Sequence, residues 1–394
     1  MKGMLCGILP ILLAGSAIAT VRAAPAPREA KASAVNVTPV VASIDNLPIP
    51  VKGSDGLFHL VYEVNVVNVT GETASLNRLD VVDARSGRTL ASLDAAQIAQ
   101  RLSIASSRTS TAADLGPSQM GILYLHVLVH GAAALPAGLK HALTVTLKGQ
   151  TLVETIAPAA VKPPTTLVLA PPLKGRRYVA GDGCCDSIRH VRATLPINGQ
   201  LFDGQRFAID WEQLDAQGCI RAGDNKTPES YVIYGQPVYA AANAVVVAAV
   251  DGMPNSPPGA LPANIRADEA DGNHVVLDLG HGNYALYAHL APHSLKVKQG
   301  QRVREGQMLG RVGTSGNSSE PHLHFQVSNG PLPLASNGVP YVIREFSASQ
   351  RVTSTAAFDK ATEDGQPIAV QPLDGPSRHT AVLPLDLSIV DFTH

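Results

Sequence analysis

Apolar and polar residues alternate through much of the chain, in strand-length segments separated by turn residues. The segment 58–70, FHLVYEVNVVNVT, alternates over its whole length, and the segments 120–131 and 141–156 repeat the pattern. Only the segment 92–103, SLDAAQIAQRLS, suggests a short helix. Several alternating strands with polar turns between them predict an immunoglobulin-like β-sandwich over residues 34–160.

A second strand-rich region follows, and its short apolar segments are punctuated by glycine. This pattern predicts an antiparallel β domain over residues 184–345, because glycine permits tight turns and close strand crossings. The Pro-rich stretch between the two regions predicts a linker over residues 161–183. The mixed, Pro-containing segment 346–394 predicts a tail that packs loosely or is partly disordered. The expected fold class is all-β.

Composition narrows the function classes. The chain has 394 residues, enough for two or three domains, and an apolar fraction of 45%, enough for real cores. Its net charge is −1 and it carries no large basic block, so nucleic acid is not an expected partner.

The N-terminal residues have the pattern of a secretory signal peptide. Lys2 precedes the apolar run MLCGILPILLAG, which leads to an Ala-Ile-Ala cleavage pattern ending at Ala19. The run is too short to span a bilayer, and Ser16 stands where a lipoprotein signal would need Cys. A second possible cut follows Ala23. We therefore expect residues 1–23 to be removed and the mature chain to be periplasmic or extracellular without a transmembrane segment. A buried N-terminal helix is the alternative.

Cysteine usage fits an oxidising compartment. Removal of the signal takes Cys6 and leaves Cys184, Cys185 and Cys219. We expect a disulfide between one of the vicinal pair and Cys219. A Cys-rich metal site is the alternative, but the spacing lacks C-x-x-C.

Two histidines, His322 and His324, stand one residue apart in the strand-like segment SSEPHLHFQV. Successive side chains of a strand point to opposite faces, so both imidazoles emerge on one face, with Leu323 and Phe325 on the other. Such a pair either shares a metal or divides the work between a ligand and a proton carrier.

Further polar residues in the same region extend this constellation. Asp210 lies in the apolar segment QRFAIDW, where an unpaired carboxylate is costly to bury. His289 lies opposite the apolar face of YALYAHL, and His190 lies in SIRHVRATLP. Histidine and aspartate suit zinc, which keeps three protein ligands and one open position in catalytic sites and lowers the pKa of water to about 7. His126 and His130 share a face of the first region, where we expect ordinary half-exposed sheet residues.

The segments YALYAHL and VKQGQRVREGQMLGRVGTSGNSSEPHLHFQV, with the Asp-containing strand before them, resemble the lysostaphin/LytM-type zinc endopeptidases. The resemblance covers roughly residues 184–345. It implies a compact antiparallel β-fold with a groove, and hydrolysis of peptide bonds in peptidoglycan cross-links. It also implies that Asp210 and His324 bind zinc, and that His289 and His322 position water and stabilise the tetrahedral intermediate.

The first motif of that family, H-x-x-x-D, is altered here, because Arg206 stands where the histidine would precede Asp210. Arginine offers no lone pair to zinc. Either the site is degenerate or another histidine supplies the third ligand. His190 is the first candidate, and His274 and His281 are alternatives.

Three functions follow from these observations. The first is an exported zinc metalloendopeptidase that acts on peptidoglycan. The second is a catalytically inactive peptidoglycan-binding or regulatory protein with a degenerate metal site. The third is an adhesion or envelope protein whose sandwich does the main work. The Gly-rich stretch also resembles biotinyl and lipoyl carrier domains, but it lacks their modified lysine.

Overall fold

The computed structural model describes residues 36–105, 107–375 and 377–392, and it is almost entirely β. The expected signal peptide lies outside the described residues. No helix in the described ranges is both long and apolar enough to cross a membrane.

The first half of the described chain contains ten strands and one α-helix. The strands are β1 (Val40–Ser43), β2 (Val51–Lys52), β3 (Phe58–Asn68), β4 (Ala74–Asp83), β5 (Thr89–Asp94), β6 (Leu102–Ser103), β7 (Asp114–Leu115), β8 (Met120–Val129), β9 (Gly138–Leu147) and β10 (Gln150–Ala160). The helix is α1 (Ala95–Arg101), and Asp94 caps it through a hydrogen bond to the backbone of Gln97.

These strands form two antiparallel sheets, ordered β1-β3-β8-β6 and β10-β9-β4-β5, with β2 paired to β3 and β7 paired to β4. Alternate residues of both sheets enter one hydrophobic cluster, which contains Leu60 and Val64 of β3 and Leu143 of β9. The alternation along the sequence therefore becomes a sandwich. Its immunoglobulin-like topology stays a prediction.

The second half contains sixteen strands and one α-helix. The strands are β11 (Val168–Leu169), β12 (Gly175–Gly181), β13 (Leu195–Ile197), β14 (Gln200–Phe202), β15 (Ile209–Gln213), β16 (Pro237–Tyr239), β17 (Ala244–Val250), β18 (Asn273–Gly280), β19 (Asn283–Leu290), β20 (Arg302–Val303), β21 (Met308–Arg311), β22 (Leu323–Ser328), β23 (Val342–Val352), β24 (Val370–Pro372), β25 (Arg378–Val382) and β26 (Ser388–Phe392). The helix is α2 (Thr355–Asp364).

Most of these strands belong to one large sheet, ordered β11-β23-β26-β12-β15-β22-β19-β18-β17-β20. Neighbours in this sheet are antiparallel, except for β11 and β23. Its central strands β15, β22 and β19 carry Asp210, His324 and His289. The sheet thus brings three separated sequence segments side by side.

The C-terminal segment does not form a loose tail, so that prediction is wrong. Strand β26 lies inside the large sheet between β12 and β23. Val390 and Phe392 are buried, and the Phe392 ring lies 5.2 Å from the ring of Trp211. Val390 and Phe392 join the same hydrophobic core as Trp211. The segment's own Pro-containing pattern does not indicate this burial.

The predicted linker is also more structured than expected. Strand β12 occupies residues 175–181 and pairs with β15, where Gly181 lies opposite Asp210. From Thr38 onward the described chain forms one compact unit, although its apolar residues form several clusters. The boundaries of the domains remain a prediction.

The expected disulfide to Cys219 is absent from the described residues. Cys184 is instead bonded to its neighbour Cys185, and Cys219 is free within the same ranges. Sequence spacing carries no information on which cysteine lies near another, because the pairing depends on how the chain folds back.

Candidate metal centre

Asp210 is the centre of a cluster of imidazoles on the large sheet. It lies directly opposite His324 in the pairing of β15 with β22. Its Oδ1 atom is 2.8 Å from Nδ1 of His324 and 3.5 Å from Nε2 of His322. Its Oδ2 atom is 3.2 Å from Nε2 of His190. The structure therefore brings all four residues together.

Backbone carbonyls fix the rings of three of the histidines. The Nδ1 atoms of His190, His289 and His322 each donate a hydrogen bond to a carbonyl oxygen, at 2.9, 2.8 and 2.8 Å respectively. A carbonyl oxygen only accepts, so Nδ1 carries the proton in each neutral ring. Each Nε2 atom is left with a lone pair for a metal or for a proton.

His324 is held in the opposite tautomer. Its Nε2 atom donates to Oε1 of Gln326 at 2.8 Å, so the Nδ1 lone pair of the neutral ring faces the Asp210 carboxylate. Two lone pairs at 2.8 Å repel each other unless a proton or a cation lies between them.

His289 approaches from the third strand. Its ring centroid lies 4.7 Å from that of His322 and 5.8 Å from that of His324. Its backbone φ angle is +61°, in the left-handed region that a histidine rarely occupies. Strained backbone of this kind persists where the surroundings impose it, which is common at functional sites.

The charges of the cluster are strongly coupled. Burial would raise the pKa of Asp210, but His190, His322 and His324 outweigh it and hold that pKa well below the usual range. Burial would lower the pKa of His190, but the Asp210 carboxylate raises it to about 9. Burial lowers the pKa of both His289 and His322, so these two rings favour the neutral form.

The donor set fits a divalent metal ion. One ligand atom from each of His190, Asp210 and His324 lies within 4.8 Å of the other two, and His289 and His322 form a second such group with His324. Two imidazole nitrogens and a carboxylate are donors of the kind that bind zinc in catalytic sites with three protein ligands.

Arg206 does not take part in this cluster. Its guanidinium donates to both carboxylate oxygens of Glu63 in the sandwich and to the carbonyl oxygen of Gly338 at 2.9 Å. His190, not Arg206, lies beside Asp210. Within the described ranges, neither His274 nor His281 belongs to a group that could hold a metal.

A cavity of about 630 Å³ opens over the cluster and is lined by all five residues. Glu212 and Glu320 also line it. Burial, together with neighbouring carboxylates, raises the pKa of Glu212 well above its usual range and that of Glu320 to about 7. One wall of the cavity is therefore acidic and holds protons near neutral pH.

Sequence reasoning missed Gln326 and Glu212. Gln326 follows His324 by two residues on one strand, and Glu212 follows Asp210 in the same way. The period of two that placed His322 and His324 on one face would also have found these residues.

Residues 230–336 match the model of peptidase family M23. This match confirms the resemblance to the lysostaphin/LytM-type peptidases over that segment. The matched segment includes His289, His322 and His324, and it begins after Asp210 and Arg206.

Curated relatives cover the same region. The peptidoglycan DD-endopeptidase ShyA of Vibrio cholerae is 34% identical over 126 residues, which are 30% of this chain and 25% of ShyA. The DD-carboxypeptidase/endopeptidase Mpg of Neisseria meningitidis is 33% identical over 90 residues, 23% of this chain and 20% of Mpg. The chain thus spans a quarter or less of the length of these relatives.

Two solved structures were also similar. The catalytic domain of lysostaphin from Staphylococcus simulans has a TM-score of 0.24 and 22% identity, over 41% of this chain and 88% of that one. A zinc-containing peptidase from Vibrio cholerae has a TM-score of 0.26 and 14% identity, over 74% and 83% of the two chains.

Proposed function

We propose that this protein is an exported zinc metalloendopeptidase that hydrolyses peptide bonds in peptidoglycan cross-links. His190, Asp210 and His324 would hold the zinc ion, and His289 and His322 would be the catalytic residues. The observation that carries the proposal is the convergence of nitrogen lone pairs and one carboxylate within 4.8 Å, beneath an open cavity.

A zinc ion held there would supply Lewis acidity, which lowers the pKa of a water molecule to about 7 and polarises a carbonyl group. Asp210 and the imidazoles of His190 and His324 would bind the ion, and the hydrogen bonds to Asp182 and Gln326 would orient those rings.

His322 and His289 would do the proton work. Each ring has its Nδ1–H bound to a carbonyl oxygen and its Nε2 atom free to accept a proton from the attacking water. Once protonated, the same Nε2 atom can donate a hydrogen bond to the oxyanion or return the proton to the leaving amine. Their lowered pKa values keep both rings ready to act as acceptors near neutral pH.

The substrate assignment follows the name of one relative, the peptidoglycan DD-endopeptidase ShyA, and Mpg is also an endopeptidase by name. The proposed export follows the signal-like N-terminus, and it would place the protein where peptidoglycan lies, in the periplasm or outside the cell. Peptidoglycan would then be the main partner.

The catalytically inactive alternative drew its support from Arg206. Arg206 pairs with Glu63, and His190 lies beside Asp210. His190 would therefore replace the ligand that Arg206 cannot provide. This placement favours the peptidase over a degenerate binding protein.

The test combines metal analysis with a digestion assay on purified peptidoglycan. We expect one zinc per mature chain and release of cross-link cleavage products. His190→Ala and Asp210→Ala should lose both zinc and activity. His289→Ala and His322→Ala should keep zinc while the rate falls by roughly 10²–10⁴-fold, the usual share of a proton-transfer group.

His281→Ala serves as the control, since this residue is exposed in a turn and should behave like the unaltered protein. Zinc bound without any cleavage would favour the inactive alternative. Full zinc content in His190→Ala would overturn the ligand assignment.

A further inference from the structure

A second group of metal-ligating side chains lies outside the candidate metal centre. His59 of β3 and His126 of β8 emerge from neighbouring sandwich strands and meet Cys185, which precedes the central sheet region. Nδ1 of His59 is 2.9 Å from Nε2 of His126 and 3.3 Å from Sγ of Cys185. The three ligand atoms lie within 4.8 Å of one another.

Asp55 sets the tautomer of His59. Nε2 of His59 lies 3.0 Å from Oδ1 of Asp55, and a carboxylate accepts, so Nε2 carries the proton. The Nδ1 lone pair then faces His126 and Cys185. A carboxylate behind an imidazole is the usual support of a metal-binding histidine, because it orients the ring and raises its basicity.

His126 is half-exposed in its strand, as the sequence predicted, and it also contacts the buried His59. Its ring is nearly parallel to that of His59, with centroids 5.1 Å apart. Its Nε2 atom lies 2.9 Å from the Nδ1 lone pair of His59, so Nε2 carries the proton between them, and that proton must move to Nδ1 when Nε2 binds an ion.

The state of Cys185 decides whether a third ligand exists. While Cys185 is bonded to Cys184, its sulfur carries no negative charge and is a poor ligand. After reduction, the Cys185 thiol can lose its proton and bind a metal as a thiolate. A cavity of about 580 Å³, lined by His59, His126 and both cysteines, leaves room for entry of the ion and for a fourth ligand such as water.

We propose that His59, His126 and Cys185 form a second site for a zinc-class divalent ion, available only when the Cys184–Cys185 bond is reduced. Two imidazole nitrogens and one thiolate suit zinc or cobalt, whose bonds to nitrogen are about 2.0–2.1 Å and to sulfur about 2.3 Å for zinc. The observed separations of 2.9 and 3.3 Å are shorter than the roughly 3.4 and 3.5 Å that tetrahedral bonds of these lengths give. His126 and Cys185 would therefore each move a few tenths of an ångström away from His59 to bind one ion.

The reduction balances with a phosphine as the reductant in the test. The phosphine gives two electrons to the disulfide, takes an oxygen atom from water and becomes a phosphine oxide. The two protons of that water complete the thiols of Cys184 and Cys185, and the Cys185 thiol releases its proton on binding the ion.

Cobalt chloride is the probe, because a thiolate bound to Co²⁺ gives a charge-transfer absorption that a site of histidine and aspartate lacks. The experiment uses the metal-free mature chain with Cys219→Ser as background, so that Cys184 and Cys185 supply the only thiols. We expect the absorption only after phosphine treatment, together with one additional cobalt ion per chain.

Matched cysteine variants remove the need for a reductant. In Cys184→Ser, the Cys185 thiol has no neighbour to bond, so the absorption should appear without phosphine. In Cys185→Ser, it should be absent under every condition. His59→Ala and His126→Ala in the Cys184→Ser background should also lose it, whereas the exposed His130→Ala should retain it. Asp55→Asn should weaken cobalt binding by roughly 10–100-fold.

Two results would overturn the proposal. One is a Cys184→Ser protein that remains folded by circular dichroism and shows no thiolate absorption with cobalt. The other is an absorption that persists in both histidine variants. The variant His324→Ala tests the first metal centre separately. It should lose the cobalt ion of that centre, which gives no thiolate absorption, and it should keep the thiolate absorption of the second site.

Discussion

Arg206 and Glu63 form a bidentate ion pair between the central sheet region and the sandwich, across 143 residues of sequence. Both side chains are largely buried, and Arg206 also donates to Gly338. Burial and the Glu63 carboxylate raise the pKa of neighbouring Asp203 well above its usual range, so the group holds one cation and one anion. Arg206 thus joins two parts of the chain.

Breaking this pair should destabilise the protein strongly. Glu63→Ala removes the bidentate partner of a buried guanidinium and leaves only the longer 3.6 Å contact to Asp203. We expect the free energy of unfolding to fall by about 3 kcal/mol. Replacing both residues by Met should recover much of that loss, because no charge stays buried. Urea denaturation measures each value. The exposed pair Arg266–Asp268 is the control, and Asp268→Ala should change nothing measurable. A small effect of Glu63→Ala would contradict this account.

A histidine introduced at position 206 should not replace His190 as a metal ligand. The side chain of residue 206 points to Glu63 and Gly338, so the double variant His190→Ala, Arg206→His should remain without zinc. Arg206→His alone should keep its zinc, since His190 is intact. Metal content is measured on protein checked for folding by circular dichroism. Zinc regained by the double variant would mean that position 206 can still reach Asp210.

Gln326 should tune metal affinity without binding the ion. Gln326→Leu removes the acceptor for Nε2–H of His324, so the tautomer that presents Nδ1 is no longer favoured. We expect zinc affinity to fall by roughly 10–100-fold in a chelator competition titration. The exposed Gln350→Leu, also in the large sheet, is the matched control. Equal affinities in the two variants would count against this role.

Asp386 should make the protein less stable as pH rises. Burial raises its pKa from 3.8 to about 7 in the folded chain. An acid whose folded-state pKa lies above its unfolded value holds its proton more tightly when folded, so this stability is present at low pH and is lost between about pH 4 and 7.

Asp386→Asn keeps an oxygen to accept the hydrogen bond from the Gly183 amide and removes the charge. We expect it to stabilise the protein at pH 8, by about 1–2 kcal/mol after discounting for partial exposure, and to have little effect at pH 4. Thermal unfolding at the two pH values tests this. Equal melting temperatures at pH 8 would refute it.

The sequence by itself determined the parts that depend on local periodicity. Alternation predicted the strands, placed His322 and His324 on one face, and would have added Gln326, because a strand repeats every two residues whatever it pairs with. The short motifs around His289 and His324 were enough to indicate the M23 family.

The tertiary structure decided everything that depends on which segments meet. His190 reaches Asp210 from twenty positions away because β12 pairs with β15 and the chain then turns back over that strand. The Glu63–Arg206 pair, the burial of β26 and the contact of His59 with Cys185 each join segments far apart in sequence. Such contacts follow from the packing of sheets, and the local sequence around a residue does not predict them.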